Sequence, residues 1–196
     1  MLHNLHARAL PAREAEVGAL LDGLSGTRDR LWPHDDWPPM TFEGPLWVGA
    51  SGGHGPVRYR VEAVTPGRCV RFRFMRPRGF DGFHEFSTVP LQGAPSGASI
   101  GDRPMTELRH LLVIRPRGLA RLTARLFWMP LHDALLEDCL DRAERQLTGA
   151  VARPARRSRR RRSRHRAARG HAPHRGRHHR PARAATPITG ARGRRA

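Results

Sequence analysis

The sequence predicts an α+β domain, an antiparallel sheet closed by a long C-terminal helix, followed by a disordered arginine-rich tail. Three observations lead there. Short segments in the middle of the chain alternate apolar and polar residues between glycine- and proline-rich turns, the period of half-buried strands. Near the end, Leu131, Leu135, Leu136, Cys139, Leu140, Ala143 and Leu147 recur three or four apart, the stripe of an amphipathic helix. After Gly149 the composition collapses to Arg, Ala, His, Gly and Pro.

The elements follow in order. In Leu2–Leu10, Leu5, Ala7 and Ala9 alternate with His6 and Arg8, which reads as a first strand ended by Pro11. Ala12–Leu24 is helical, with Val17, Leu20, Leu21 and Leu24 on one face and Ser25-Gly26 as its stop. Residues 27–44 are irregular. Trp32 and Trp37 there should pin a packed lid or a short second helix to the body. Leu46–Ala50 reads as a strand and residues 52–56 as a turn. Val57–Val64 and Val70–Phe74 form the clearest hairpin, around Pro66-Gly67. One of its faces is apolar, and the other carries Arg58, Arg60, Arg71 and Arg73 as a solvated stripe. Phe83–Val89 and Thr106–Arg115 are further strands, joined by a loose loop over 92–102. Leu119–Gly149 is the long helix, expected to bend near Pro130 because a proline ring there removes a backbone bond. Asp133, Glu137, Asp141, Glu144 and Arg145 should lie mostly away from its apolar stripe. Hairpin-linked strands with helices at both ends are the pattern of an α+β domain.

Charge divides the chain. Its formal net charge is +19, and every basic residue is arginine. Seventeen of the 36 arginines lie from Arg153 onward, where there is no acidic residue; the remainder is nearly balanced. Residues 1–150 are enough to bury one core. Residues 151–196 cannot repay their ordering entropy by burial and should be disordered. Such a tail would attract nucleic acid non-specifically through counterion release. The competing reading is a non-functional or out-of-frame extension of a GC-rich gene. The two cysteines, Cys69 and Cys139, are too few for a paired-cysteine metal pattern and read as isolated thiols. No cofactor or metal site emerges. The N-terminus lacks the apolar run of a signal peptide, and no segment has the ~18 apolar residues of a membrane span. The expectation is a cytoplasmic protein, with its oligomeric state left open.

Several short motifs carry a resemblance: Trp32-Pro33, the Trp-Pro-Pro-Met at 37–40, Gly-Gly-His-Gly-Pro at 52–56, Arg-Gly-Phe-Asp-Gly-Phe-His-Glu-Phe at 78–86, Glu-Leu-Arg-His at 107–110 and the Pro-Leu-His-Asp start of the helix at 130. With the element order, residues 1 to about 149 resemble the START-like, or SRPBCC, superfamily, and within it the polyketide cyclase/dehydrase-like bacterial proteins. The resemblance implies a helix-grip fold, in which a curved antiparallel sheet wraps the C-terminal helix and leaves a cavity between them. The superfamily includes lipid carriers, receptors and cyclases, so the fold does not settle the function. Its oxygenase branch needs an iron–sulfur domain for which this chain has neither the cysteines nor the length.

Strand phase selects the residues expected to face that cavity: Tyr59, Phe72, Phe86, Leu108 and Leu112 from the sheet, and Leu135 and Cys139 from the helix. His84 shares a face with Phe86, and His110 shares one with Leu108 and Leu112. The two histidines are candidate polar anchors or an acid/base pair, since imidazole titrates near neutrality and can donate and accept. The alternative is that both are structural. Glu85 and Glu107 fall on the opposite faces, so no complete catalytic constellation assembles. His54 reads as a turn histidine, with a place at the cavity mouth as the alternative, and His132-Asp133 as a helix start. The leading expectation is binding of a small hydrophobic or amphipathic ligand. A cyclase or dehydratase using His84 and His110, and nucleic-acid association through the tail, are the alternatives.

Overall fold

A computed structural model describes residues 1–91 and 104–155. The loop and tail expectations for 92–103 and 156–196 therefore lie outside the described residues. The strands are β1 (Leu2–Leu10), β2 (Thr41–Phe42), β3 (Ser51–His54), β4 (Val57–Thr65), β5 (Cys69–Arg76), β6 (Phe80–Leu91) and β7 (Met105–Pro116). They form one curved antiparallel sheet in the order β1-β7-β6-β5-β4-β3-β2. Helix α1 (Glu14–Asp22) packs on β5, β6 and β7, and the long helix packs on β1 and α1.

Period-2 alternation explains the central strands. On β7, Thr106, Leu108, His110, Leu112 and Ile114 are buried in turn. On β4, Val57, Tyr59 and Val61 are buried while Arg58 and Arg60 are exposed. Tyr59 lies opposite Phe74, and Val61 opposite Phe72. The arginine face is solvated and ion-paired: Arg71 Nε donates to Glu85 at 2.7 Å, and Arg73 Nε to Glu62 at 2.6 Å.

Four local features depart from the sequence-based reading. Residues 46–50 turn, and the strand is Ser51–His54 instead. Glycines permit that strand: a Cβ on Gly52 would come within 2.3 Å of the Thr41 carbonyl, and one on Gly53 within 2.0 Å of the Val57 carbonyl. Of the two alternatives for residues 27–44, the short second helix is absent: the segment is packed and irregular apart from the short strand β2. Trp32 Nε1 donates to the Pro38 carbonyl at 3.0 Å and Trp37 Nε1 to Asp138 at 3.0 Å, which pins this segment over the core.

The long helix is built in three pieces: α2 (Ala120–Thr123), a π-helical turn (Ala124–Trp128) and α3 (Met129–Thr148). Pro130 sits in the first turn of α3, where its missing N–H breaks least. Gly149 ends the helix in a left-handed conformation, φ 79°.

The fourth departure concerns polarity. On β1 the phase that faces the helix is Asn4, His6 and Arg8, leaving Leu5 61% exposed. These groups meet the acidic edge of α3. Arg8 donates to Asp141 at 2.7 Å, Glu144 at 3.0 Å and Glu137 at 3.1 Å. Asp141 is consequently buried, at 1% exposure, while Leu131 of the apolar stripe is half exposed. Helical spacing gathers Asp133, Glu137, Asp141 and Glu144 on one face, and that face is a second contact surface, not a purely solvated one.

Candidate functional site

A cavity of about 210 Å³ lies between the sheet, the Trp32–Pro38 segment and the beginning of α3. A single trapped water needs only about 10–15 Å³, so this is a ligand-sized space. Trp32, Trp37, Phe74, Phe80, Ile114 and Trp128 supply apolar wall. Among these rings stand four histidines: His54 from β3, His84 from β6, His110 from β7 and His132 from α3.

The histidines form a chain. His54 Nε2 lies 2.7 Å from the Tyr59 hydroxyl. The Tyr59 and His84 rings are 4.4 Å apart between centroids. His84 Nδ1 and His110 Nε2 share a hydrogen bond of 3.0 Å. The His110 and His132 rings are 5.0 Å apart, and His6 on β1 lies 6.0 Å beyond His132. Burial holds His84 and His110 well below the ordinary imidazole range, and neighbouring His132 adds to it. Burial also pushes His132 down to about 3 and His54 to about 4, the second with help from Arg58. Burial raises the Tyr59 hydroxyl above its usual value. The cavity histidines are thus neutral at pH 7.

Neutrality has a consequence for His84 and His110. Each ring carries one N–H. Whichever ring donates across their 3.0 Å contact, the outer nitrogens, His84 Nε2 and His110 Nδ1, are one donor and one acceptor. Those two atoms, and both nitrogens of His132, are buried and have no hydrogen-bond partner among the described residues.

Of the residues expected at the cavity, Tyr59, His84, Phe86, His110, Leu112 and Leu135 line it. Phe72, Leu108 and Cys139 do not, and this corrects the sequence-based set. All three are 0% exposed in the solid core. Phe72 is sandwiched by Phe42, Tyr59 and His84, and its ring supports the cavity wall from behind. Strand phase told which side they face, but not where along the sheet the packing leaves space. His132 had a usable signal: it precedes Leu135 by three and Leu136 by four, and so shares their face. His54 lacked one, because a glycine-rich stretch has no readable phase. Both cysteines are free thiols, and burial raises Cys69 to about 11.

No protein-family profile and no curated protein sequence matches the chain. Solved structures do match. The protein XoxI from Bacillus cereus superposes with a TM-score of 0.52 at 14% identity, covering 75% of this chain and 96% of that one. A protein from Nitrosospira multiformis gives 0.52 at 12% identity, covering 81% and 99%. Ara h 8.0201 gives 0.50 at 9% identity, covering 76% and 98%. The fold is START-like. Helix-grip architecture accounts for where the cavity lies: the sheet curls toward α3, and the space between them is lined by aromatic side chains from the sheet, from the Trp32–Pro38 segment and from Trp128 of the π-helical turn. Among the described residues no helix is long and apolar enough to cross a membrane.

Proposed function

We propose that residues 1–150 form a domain that binds a small hydrophobic or amphipathic molecule in this cavity, with His84, His110 and His132 as polar anchors. The observation that carries the proposal is the set of buried imidazole nitrogens without partners beside an apolar space. Each buried polar atom left unpaired costs about 1–3 kcal/mol. A ligand with a hydroxyl, carbonyl or carboxyl group beside its apolar body would remove part of that cost. Apolar pockets with a few placed polar groups are typical of ligand sites.

The acid/base reading, a cyclase or dehydratase working through His84 and His110, draws less support from the same site. A general base works best with a pKa near the operating pH, and burial drives both imidazoles far below it. Their neutral rings suit hydrogen bonding better than proton abstraction.

Titration of the full chain with an uncharged fluorescent fatty alcohol at high salt tests the proposal, since the arginine-rich tail has no electrostatic hold on such a probe. Saturable uptake is expected, weakened at least tenfold by Leu135→Trp, which fills the cavity. Absence of uptake, or uptake unchanged in that variant, would rule the cavity out as the site.

A further inference from the structure

We infer that His6, His132 and Asp133 form a binding site for one divalent transition-metal ion where β1 meets the first turn of α3. The site lies beside the ligand cavity, shares His132 with it, and does not depend on the cavity's proposed role.

Distances come first. One donor atom from each residue can be chosen so that all three lie within 4.8 Å of one another. His6 Nε2 is 3.1 Å from Asp133 Oδ1. Two donors bound at about 2.1 Å to the same ion, near a right angle, stand about 3 Å apart. His132 brings a ring with neither nitrogen hydrogen-bonded among the described residues. It therefore gives up no hydrogen bond in moving to the ligand separation.

The surroundings have the form that holds metal-binding histidines. His6 Nδ1 lies 2.9 Å from Glu137 Oε1. A carboxylate on the far nitrogen fixes the tautomer and aims the near nitrogen, as in carboxylate–histidine–metal arrangements. Glu137 is itself held by Arg8 at 3.1 Å, and Asn4 Nδ2 donates to Asp133 Oδ1 at 3.0 Å. In the metal-free protein a proton on His6 Nε2 serves the 3.1 Å contact with Asp133. An ion bound there takes that proton's place and adds His132 as a third ligand.

Two imidazoles and one carboxylate select Zn²⁺, Co²⁺, Fe²⁺ or Mn²⁺ over Ca²⁺ and Mg²⁺, which favour oxygen ligands. The sequence shows no such pattern because the ligands come from opposite ends of the domain. Only the pairing of β1 beside α3 brings them together.

The test is titration of the full chain with Zn²⁺ by calorimetry and with Co²⁺ by visible absorption. The chain carries His165, His171, His174, His178 and His179→Asn, which removes stray binding by the tail. One equivalent should bind. His132→Asn and Asp133→Asn should each weaken binding at least tenfold, and Glu137→Gln should also weaken it, although Glu137 touches no ion. In the same protein without site substitutions, Zn²⁺ should shift the imidazole NMR signals of His6 and His132. Undiminished binding in His132→Asn, loss of all binding with the tail histidines, or unmoved His6 and His132 signals would each overturn the inference.

Discussion

Tyr59 and His54 solve each other's burial. The hydroxyl is buried and the imidazole half-buried at the cavity wall, and the 2.7 Å contact between them satisfies one polar atom of each. Tyr59→Phe keeps the ring among Phe72, Phe74 and His84 but strands His54 Nε2. The expected loss is about 1–3 kcal/mol, visible as a lower midpoint in urea denaturation with an unchanged m-value. At this scale the sequence was partly legible. Alternation on β6 and β7 turned His84 and His110 to one side, where they meet at 3.0 Å. It could not disclose that His54 and His132 complete the row, since one stands on a glycine-rich strand and the other on a helix.

Among the elements, α1 is placed by a single close approach. Gly18 packs against the turn between β4 and β5, and a Cβ there would come within 2.2 Å of the Gly67 carbonyl. Asp22, four residues later, accepts the Gly67 N–H at 2.7 Å. Gly18→Ala improves helix propensity but forces helix and turn apart. Overpacking of this kind costs about 1–3 kcal/mol, and thermal unfolding followed by circular dichroism should show the drop in Tm. The apolar stripes of α1 and α3 were readable in advance, and so was the β4–β5 hairpin. The polar seam between β1 and α3 was not. Asn4, His6 and Arg8 become buried partners only because helical spacing lines up four acids opposite them, and a strand read alone gives no sign of that.

For the whole molecule, neutral buried histidines set the response to acid. In the unfolded chain each takes up a proton near pH 6.5. In the fold, burial holds His84 and His110 well below that, and His54 at about 4. Between these limits the unfolded chain binds more protons, so stability falls as pH falls, by about 1.4 kcal/mol per pH unit for each histidine. Urea midpoints measured in the presence of a chelator should decline steeply from pH 6.5 toward 4. His84→Leu should flatten that decline by about one proton. A decline that begins only where carboxylates titrate would contradict the neutral-histidine account.

Local periodicity determined which segments become most of the strands and helices and which face of most of them is apolar, because those properties depend on neighbours within a few residues. After Gly149 the composition changes to a stretch with no acidic residue and few large apolar side chains. Tertiary structure alone decided where the core is hollow, why Phe72, Leu108 and Cys139 fill it while Leu112 and Leu135 border the gap, and how His6 comes beside His132 and Asp133. A cavity is the volume left when elements of unequal reach meet, and a cluster of ligands is a meeting of distant chain segments. Both are properties of the packed molecule, and no single segment encodes them.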